Sequence, residues 1–194
     1  MNSAPNGSRG IHSDGGKPNL YALVVYVPDP LGSFLDNLRR EMTPDCNPHA
    51  HVSVLPPRQV HDVAAAIAES REAVAQCLPF ELELSGIEVF PTTDVIYINL
   101  AGGSEQLRRL HERLNRGALA FAEPFVYHPH VTLAQQLDPS RLEPMLQLAA
   151  QRWRDFPGPR VFRAERTVFV QNAGGDCWID LAVEPFEIGQ ERFP

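Results

Sequence analysis

The 194-residue chain predicts an α+β fold made of two copies of one unit, packed as related lobes across a cleft. Three observations predict it. The stretches His49-Ala50-His51-Val52-Ser53-Val54 and His128-Pro129-His130-Val131-Thr132-Leu133 rhyme, each an H-x-[ST] triplet followed by an apolar residue. Around each triplet the periodicities run helix, triplet strand, helix, strand, strand. The spacing also repeats: His51 and His130 lie 79 residues apart, and the segments Ile98-Asn99-Leu100 and Ile179-Asp180-Leu181 lie 81 apart. Units of this length, present twice, are not a short solenoid repeat.

Residues 1–19 hold Asn2, Ser3, Pro5, Gly7, Gly10, Gly15, Gly16 and Pro18 with almost no apolar content, and are expected to form a disordered tail. The folded domain is expected over 20–185, with lobes near 20–101 and 102–185 that exchange strands, and a C-terminal tail over 186–194. Residues 20–27 read as a buried strand closed by Pro28 and Pro30. A helix over 33–42 places Phe34, Leu35 and Leu38 on one side, and after the first triplet Pro56-Pro57 ends the strand. Val60, Val63, Ala64, Ile67 and Val74 then recur at helical spacing as far as Cys77. Segments 80–90 and 95–100 form an antiparallel hairpin around Pro91-Thr92-Thr93-Asp94. Ser104 is placed to cap a helix carrying Leu107, Leu110 and Leu114. After the second triplet, Asp138-Pro139 opens a helix with Leu142, Met145, Leu146 and Ala149, its start obscured by Pro144. Segments 161–171 and 177–183 make a final hairpin around Asn172-Ala173-Gly174-Gly175.

Bulk properties narrow the function classes. A hydrophobic share of 43% supports a folded globule, and no apolar run approaches the length of a membrane span. Cys46, Cys77 and Cys177 have no ligand-like spacing, which suggests reduced thiols in a cytoplasmic protein rather than a disulfide framework or zinc module. A formal net charge of −7 argues against duplex nucleic acid as a partner, which needs many basic contacts to phosphates.

Alternation along a strand puts the His and hydroxyl of each triplet on one face, roughly 6.6 Å apart, a span the oxygens of one phosphate can bridge. Two such pairs facing each other offer two proton-transfer groups and two hydrogen-bond donors, and imidazole suits both proton roles because its ordinary pKa is about 6.5. A metal site from His49, His51, His128 and His130 is an alternative, although no carboxylate or thiolate accompanies them. A local hydrogen bond where the chain enters each strand is the preferred reading of His49 and His128. Arg58 is a candidate phosphate contact, since planar guanidinium suits phosphate, against the competing reading of a solvated surface arginine. Tyr26, Phe125 and Tyr127 are candidates to stack on a base or to wall the cleft. His61 and His111 are expected at surface or helix-border positions, and His12 in the tail.

These residues resemble the two-histidine (2H) phosphoesterases, in their 2′-5′ RNA ligase-like and cyclic nucleotide phosphodiesterase branch. The resemblance rests on His51-Val52-Ser53-Val54 before Leu55-Pro56-Pro57, on Pro129-His130-Val131-Thr132-Leu133-Ala134, and on the duplicated layout over about residues 20–185. It implies a bilobal fold with two antiparallel sheets lining a central cleft and helices packed outside. It also implies chemistry on 2′,3′-cyclic phosphates or 2′-5′ linkages without a metal or other cofactor. By correspondence His51 and His130 are the catalytic pair, and Ser53 and Thr132, with Arg58 and Tyr127 as further candidates, bind the substrate. The expected partner is a small nucleotide or an RNA end, the expected state a monomer. Ser53 stands where Thr is commoner, and Gln135 where relatives often carry a basic residue, which speaks against tight binding of a long RNA. A non-catalytic nucleotide-binding module and a 2′-5′ ligase are the alternative functions.

Overall fold

A computed structural model of the protein describes residues 18–44, 49–175 and 177–187. Of the tails expected over 1–19 and 186–194, residues 1–17, with His12, and 188–194 lie outside the described residues, as does Cys46. The elements, in chain order, are β1 (Tyr21–Tyr26), α1 (Leu31–Met42), β2 (His51–Arg58), α2 (Val63–Val74), β3 (Phe80–Val89), β4 (Ile96–Gly102), α3 (Ser104–Leu114), a 3₁₀ turn (Gly117–Leu119), β5 (His130–Ala134), α4 (Pro139–Asp155), β6 (Val161–Ala164), β7 (Arg166–Gly174) and β8 (Cys177–Pro185).

The strands form one antiparallel sheet in the order β6-β3-β4-β5-β2-β1-β7-β8. This corrects the expectation of two separate sheets: the triplet strands β2 and β5 pair with each other and join two four-stranded halves. The halves of the sheet do not follow the halves of the chain, since β3 and β4 join β5 and β6, whereas β7 and β8 join β1 and β2. Nor do the two hairpins match. Hairpin β3–β4 fills the second and third places from one edge, hairpin β7–β8 the second and first from the other. The 81-residue spacing is therefore not a symmetry of the sheet, whereas the triplet strands do occupy matching central places. Segment 161–171, expected as one strand, splits at Glu165, where the chain leaves β3 in one half for β1 in the other.

Alternation along β1 explains how the sheet uses its faces. Tyr21, Leu23 and Val25 join the main core, while Ala22 and Val24 join a small cluster with Val168, Val170, Tyr26 and Trp178 on the opposite face. Both sides are apolar, so β1 reads as an unbroken hydrophobic run. Helices α1 to α4 each give an apolar stripe to the main core: Leu31, Leu35, Leu38 and Met42 from α1, Ala66, Ala73 and Val74 from α2, Leu107, Leu110 and Leu114 from α3, Ala149 and Trp153 from α4. Helix α1 packs under β5 and beside α4, and α3 under β2 and beside α2, so each helix that precedes a triplet strand supports the other one. No helix among the described residues is long and apolar enough to cross a membrane.

Local chemistry sets the helix starts. Asp62 accepts from the Ala65 N–H at 2.9 Å, and Asp138 from the Ser140 N–H at 2.9 Å with Pro139 in the first turn. Helix α4 continues through Pro144, which is exposed, so the carbonyl left without a helical donor can bond water. Ser104, expected as a cap, is the first helical residue. The cap position belongs to Gly103 at φ 82°, where a Cβ would collide with the Glu81 carbonyl and the Leu82 side chain.

Candidate active site

Val52 on β2 stands opposite Val131 on β5. In an antiparallel pair this register sets His51 opposite Thr132 and Ser53 opposite His130. Burial alternates to match, with His51, Ser53, His130 and Thr132 partly open and Val52, Val54, Val131 and Leu133 in the core. The two imidazoles and two hydroxyls thus occupy the corners of one patch on the face away from the helices. Side chains directly across such a pair start about 4.5–5.5 Å apart and the diagonal imidazoles about 7–8 Å apart, enough for one tetrahedral group between them.

The same device orients both rings. His51 Nδ1 lies 2.6 Å from the His49 carbonyl, and His130 Nδ1 lies 2.7 Å from the His128 carbonyl. A carbonyl only accepts, so each Nδ1 carries the proton and each Nε2 is left with its lone pair. The backbone of His49 and His128 thus serves the motif. Their rings are engaged elsewhere: His49 stacks on Tyr26 with centroids 3.5 Å apart, and His128 Nε2 lies 3.2 Å from Asn99 Oδ1. Among the described residues no three His, Cys, Asp or Glu side chains are grouped to hold a metal ion, so the four-histidine alternative is not what this geometry builds.

Enclosure by neighbouring groups pushes the His51 pKa down to about 4, opposed by the bond to the His49 carbonyl and assisted by the positive charges of Arg39, His49 and His130. The His130 pKa is also lowered, mainly by enclosure, with the His128 carbonyl opposing and the His128 charge assisting. Without a ligand both rings are neutral near pH 7, and an anion between them favours protonation.

Neighbouring strands extend the patch. Tyr26 pairs with His51 across β1 and β2, and Asn99 and Tyr97 pair with His130 and Thr132 across β4 and β5. The Tyr26 hydroxyl donates to Asp180 at 2.7 Å. The Tyr97 hydroxyl and the Asn99 amide donate to Glu88 at 2.9 and 2.8 Å, which lowers the Glu88 pKa. Phe90 stacks on Tyr97 with centroids 4.0 Å apart and meets His130 edge-on at 5.0 Å. Asn99, Glu88, Tyr97, Phe90 and Asp180 escaped the sequence reading, although a lone polar residue at the centre of Ile98-Asn99-Leu100 and of Ile179-Asp180-Leu181 was a usable signal.

Two candidate contacts lie elsewhere. Arg58 is 1% exposed and its guanidinium bonds to the carbonyls of Pro56 and Leu119, to Asn115 and to Glu123, so it has no face toward the patch. Tyr127 packs against the main core with its ring on His111, centroids 4.0 Å apart, and donates its hydroxyl to the Ser53 carbonyl at 2.8 Å. It reaches the backbone of β2, not the open patch. His111, expected near the surface, is buried and bonds to Glu123 at 2.9 Å, while His61 is exposed. Phe125 is exposed, and Cys77 and Cys177 are free thiols.

A family model described as the 2′-5′ RNA ligase superfamily matches residues 27–176. An RNA 2′,3′-cyclic phosphodiesterase of Aeropyrum pernix is 38% identical over 79 residues, which cover 38% of this chain and 44% of that one. Among solved structures, Escherichia coli LigT complexed with phosphate superposes with a TM-score of 0.60 at 13% identity over 89% of this chain and 99% of LigT. A protein of Thermus thermophilus superposes with a TM-score of 0.61 at 17% identity over 86% of this chain and 97% of that one. At such identities the likeness to solved structures is one of fold.

Proposed function

The chain belongs to the 2′-5′ RNA ligase superfamily, and we propose that it is a phosphodiesterase acting on 2′,3′-cyclic phosphate or 2′-5′ linkages of nucleotides or RNA ends by paired-histidine general acid–base catalysis. The observation that carries this reading is the patch itself: two Nδ1-anchored imidazoles and two hydroxyls, brought from distant parts of the chain onto one face. The name of the Aeropyrum pernix relative, and the crystals of LigT with phosphate and with 3′-AMP, favour the same substrate class.

In the proposed reaction, the neutral Nε2 of one imidazole takes a proton from water as the water oxygen bonds to phosphorus. The protonated Nε2 of the other gives its proton to the ribose oxygen as that oxygen leaves. The rings end with their protons exchanged, and solvent restores them. Each positioned transfer is worth roughly 10²–10⁴ in rate. Ser53 and Thr132 hydroxyls donate to the non-bridging oxygens, where a bond to a charged group contributes about 1.5–3 kcal/mol. With the hydroxyl of a second ribose in place of water, the same two proton transfers open the cyclic phosphate as that hydroxyl oxygen bonds to phosphorus, and join the two ends.

The test is a panel of 2′,3′-cyclic mononucleotides and short RNAs ending in cyclic phosphate, assayed in excess chelator with His130→Ala as control. Turnover that persists in chelator and disappears in the variant supports the reading. A ligand that stabilises the protein against heat with no turnover of any panel member would replace it with a binding module.

A further inference from the structure

Each imidazole is tied to its own strand, His51 through the His49 carbonyl and His130 through the His128 carbonyl, so the gap between the rings depends on what holds β2 against β5. That ladder registers only Val52 against Val131, and Pro129, immediately before β5, has no N–H with which to extend it. Beyond the ladder, Tyr127 crosses the junction and donates its hydroxyl at 2.8 Å to the carbonyl of Ser53, the residue that pairs with His51 in the first triplet. The tyrosine ring is itself fixed. It lies on His111 with 5° between the planes, His111 Nε2 donates to Glu123 at 2.9 Å, and Arg58 at the end of β2 donates to the same carboxylate oxygen. Burial, with the Glu123 charge nearby, raises the Tyr127 pKa, so the hydroxyl stays a donor.

We propose that Tyr127 is a positioning residue: its hydroxyl, bonded to the Ser53 carbonyl across the β2–β5 junction, sets the separation of His51 and His130. This rests on the catalytic reading of the patch. It gives Tyr127 a role that acts through the backbone of β2 and needs no contact with substrate.

Tyr127→Phe keeps the ring on His111 and removes only the hydroxyl. Because misplacing reacting groups by about 1 Å can cost about 10²-fold, kcat on a 2′,3′-cyclic nucleotide is expected to fall at least about tenfold while KM stays within about threefold. The second readout is NMR titration with inorganic phosphate. In the unsubstituted protein one phosphate should shift the imidazole signals of His51 and His130 together, and in Tyr127→Phe that joint response should weaken or split into two affinities. An unchanged kcat, or an unchanged joint response whatever happens to kcat, overturns the proposal. If the unsubstituted protein turns over no cyclic nucleotide, the catalytic reading fails and the phosphate titration alone decides the spacing role. Should Tyr127→Phe not fold, the unsubstituted protein still offers a test: its Tyr127 hydroxyl proton should exchange slowly and show cross-peaks to both Ser53 and His111, and their absence overturns the proposal.

Discussion

How the two imidazoles are housed fixes the pH dependence of the proposed reaction. With the His51 pKa near 4, only about one ring in 10³ is protonated at pH 7 in the free protein, and His130 is shifted in the same direction. The reaction needs one ring charged and one neutral, so kcat/KM, which reports the free protein, should peak below the ordinary imidazole pKa of about 6.5. A phosphate charge about 4 Å from a ring, at an effective dielectric near 20, returns about 4 kcal/mol, or up to about 3 pKa units. The kcat profile, which reports the bound state, should therefore lie about 1–3 pH units above that of kcat/KM, the lower figure applying because the patch is partly open to water. The assay is cyclic-nucleotide hydrolysis between about pH 4.5 and 9, with the ring protons of His51 titrated by NMR in parallel. The fold must be followed at the acid end. A lowered imidazole pKa means the unfolded chain takes up its proton first, so stability falls as pH drops from about 6.5 towards 4. An optimum of kcat/KM above pH 7.5, or coincident profiles for kcat and kcat/KM, would refute the reasoning.

Ser53→Ala and Thr132→Val should each lower kcat/KM roughly 10- to 150-fold, the equivalent of about 1.5–3 kcal/mol, and steady-state kinetics showing less than twofold would remove them from phosphate binding. Arg39→Gln withdraws a positive charge that holds the His51 pKa down, so NMR titration should find that pKa higher and the acid limb of kcat/KM moved the same way, and an unmoved midpoint would contradict it. Arg58→Met takes the guanidinium partner from Glu123, whose side chain is only 12% exposed, and should cost about 3–5 kcal/mol in urea unfolding, whereas a surface arginine would cost almost nothing.

Much of the element order was legible because it rests on local signals, such as the unbroken apolar run of β1 and the Asp138-Pro139 start of α4, whereas Pro56 and Pro57, read as the end of the first triplet strand, lie within β2. The pairing of the triplets on one face was also legible, since each motif carries its own alternation and the two recur. What remained hidden depends on contacts far apart in sequence. Nothing near Arg58 shows that it will be enclosed by Asn115, Leu119 and Glu123, or near Tyr127 that its hydroxyl will meet Ser53. The single sheet was hidden for the same reason, because it depends on β2 meeting β5 and not on either strand's composition. Glu88 reads as the polar face of a strand until β4 brings Tyr97 and Asn99 beside it.

The central claim is that His51 and His130 act on one phosphate as a unit, and the most direct measurement is kcat/KM for His51→Ala, His130→Ala and the double variant, each shown folded by circular dichroism. Each single change is expected to cost at least about 10³-fold and the double change little more than either, because either loss already breaks the pair. Full activity in one single variant, or losses that multiply in the double, would show that the two rings do not work together.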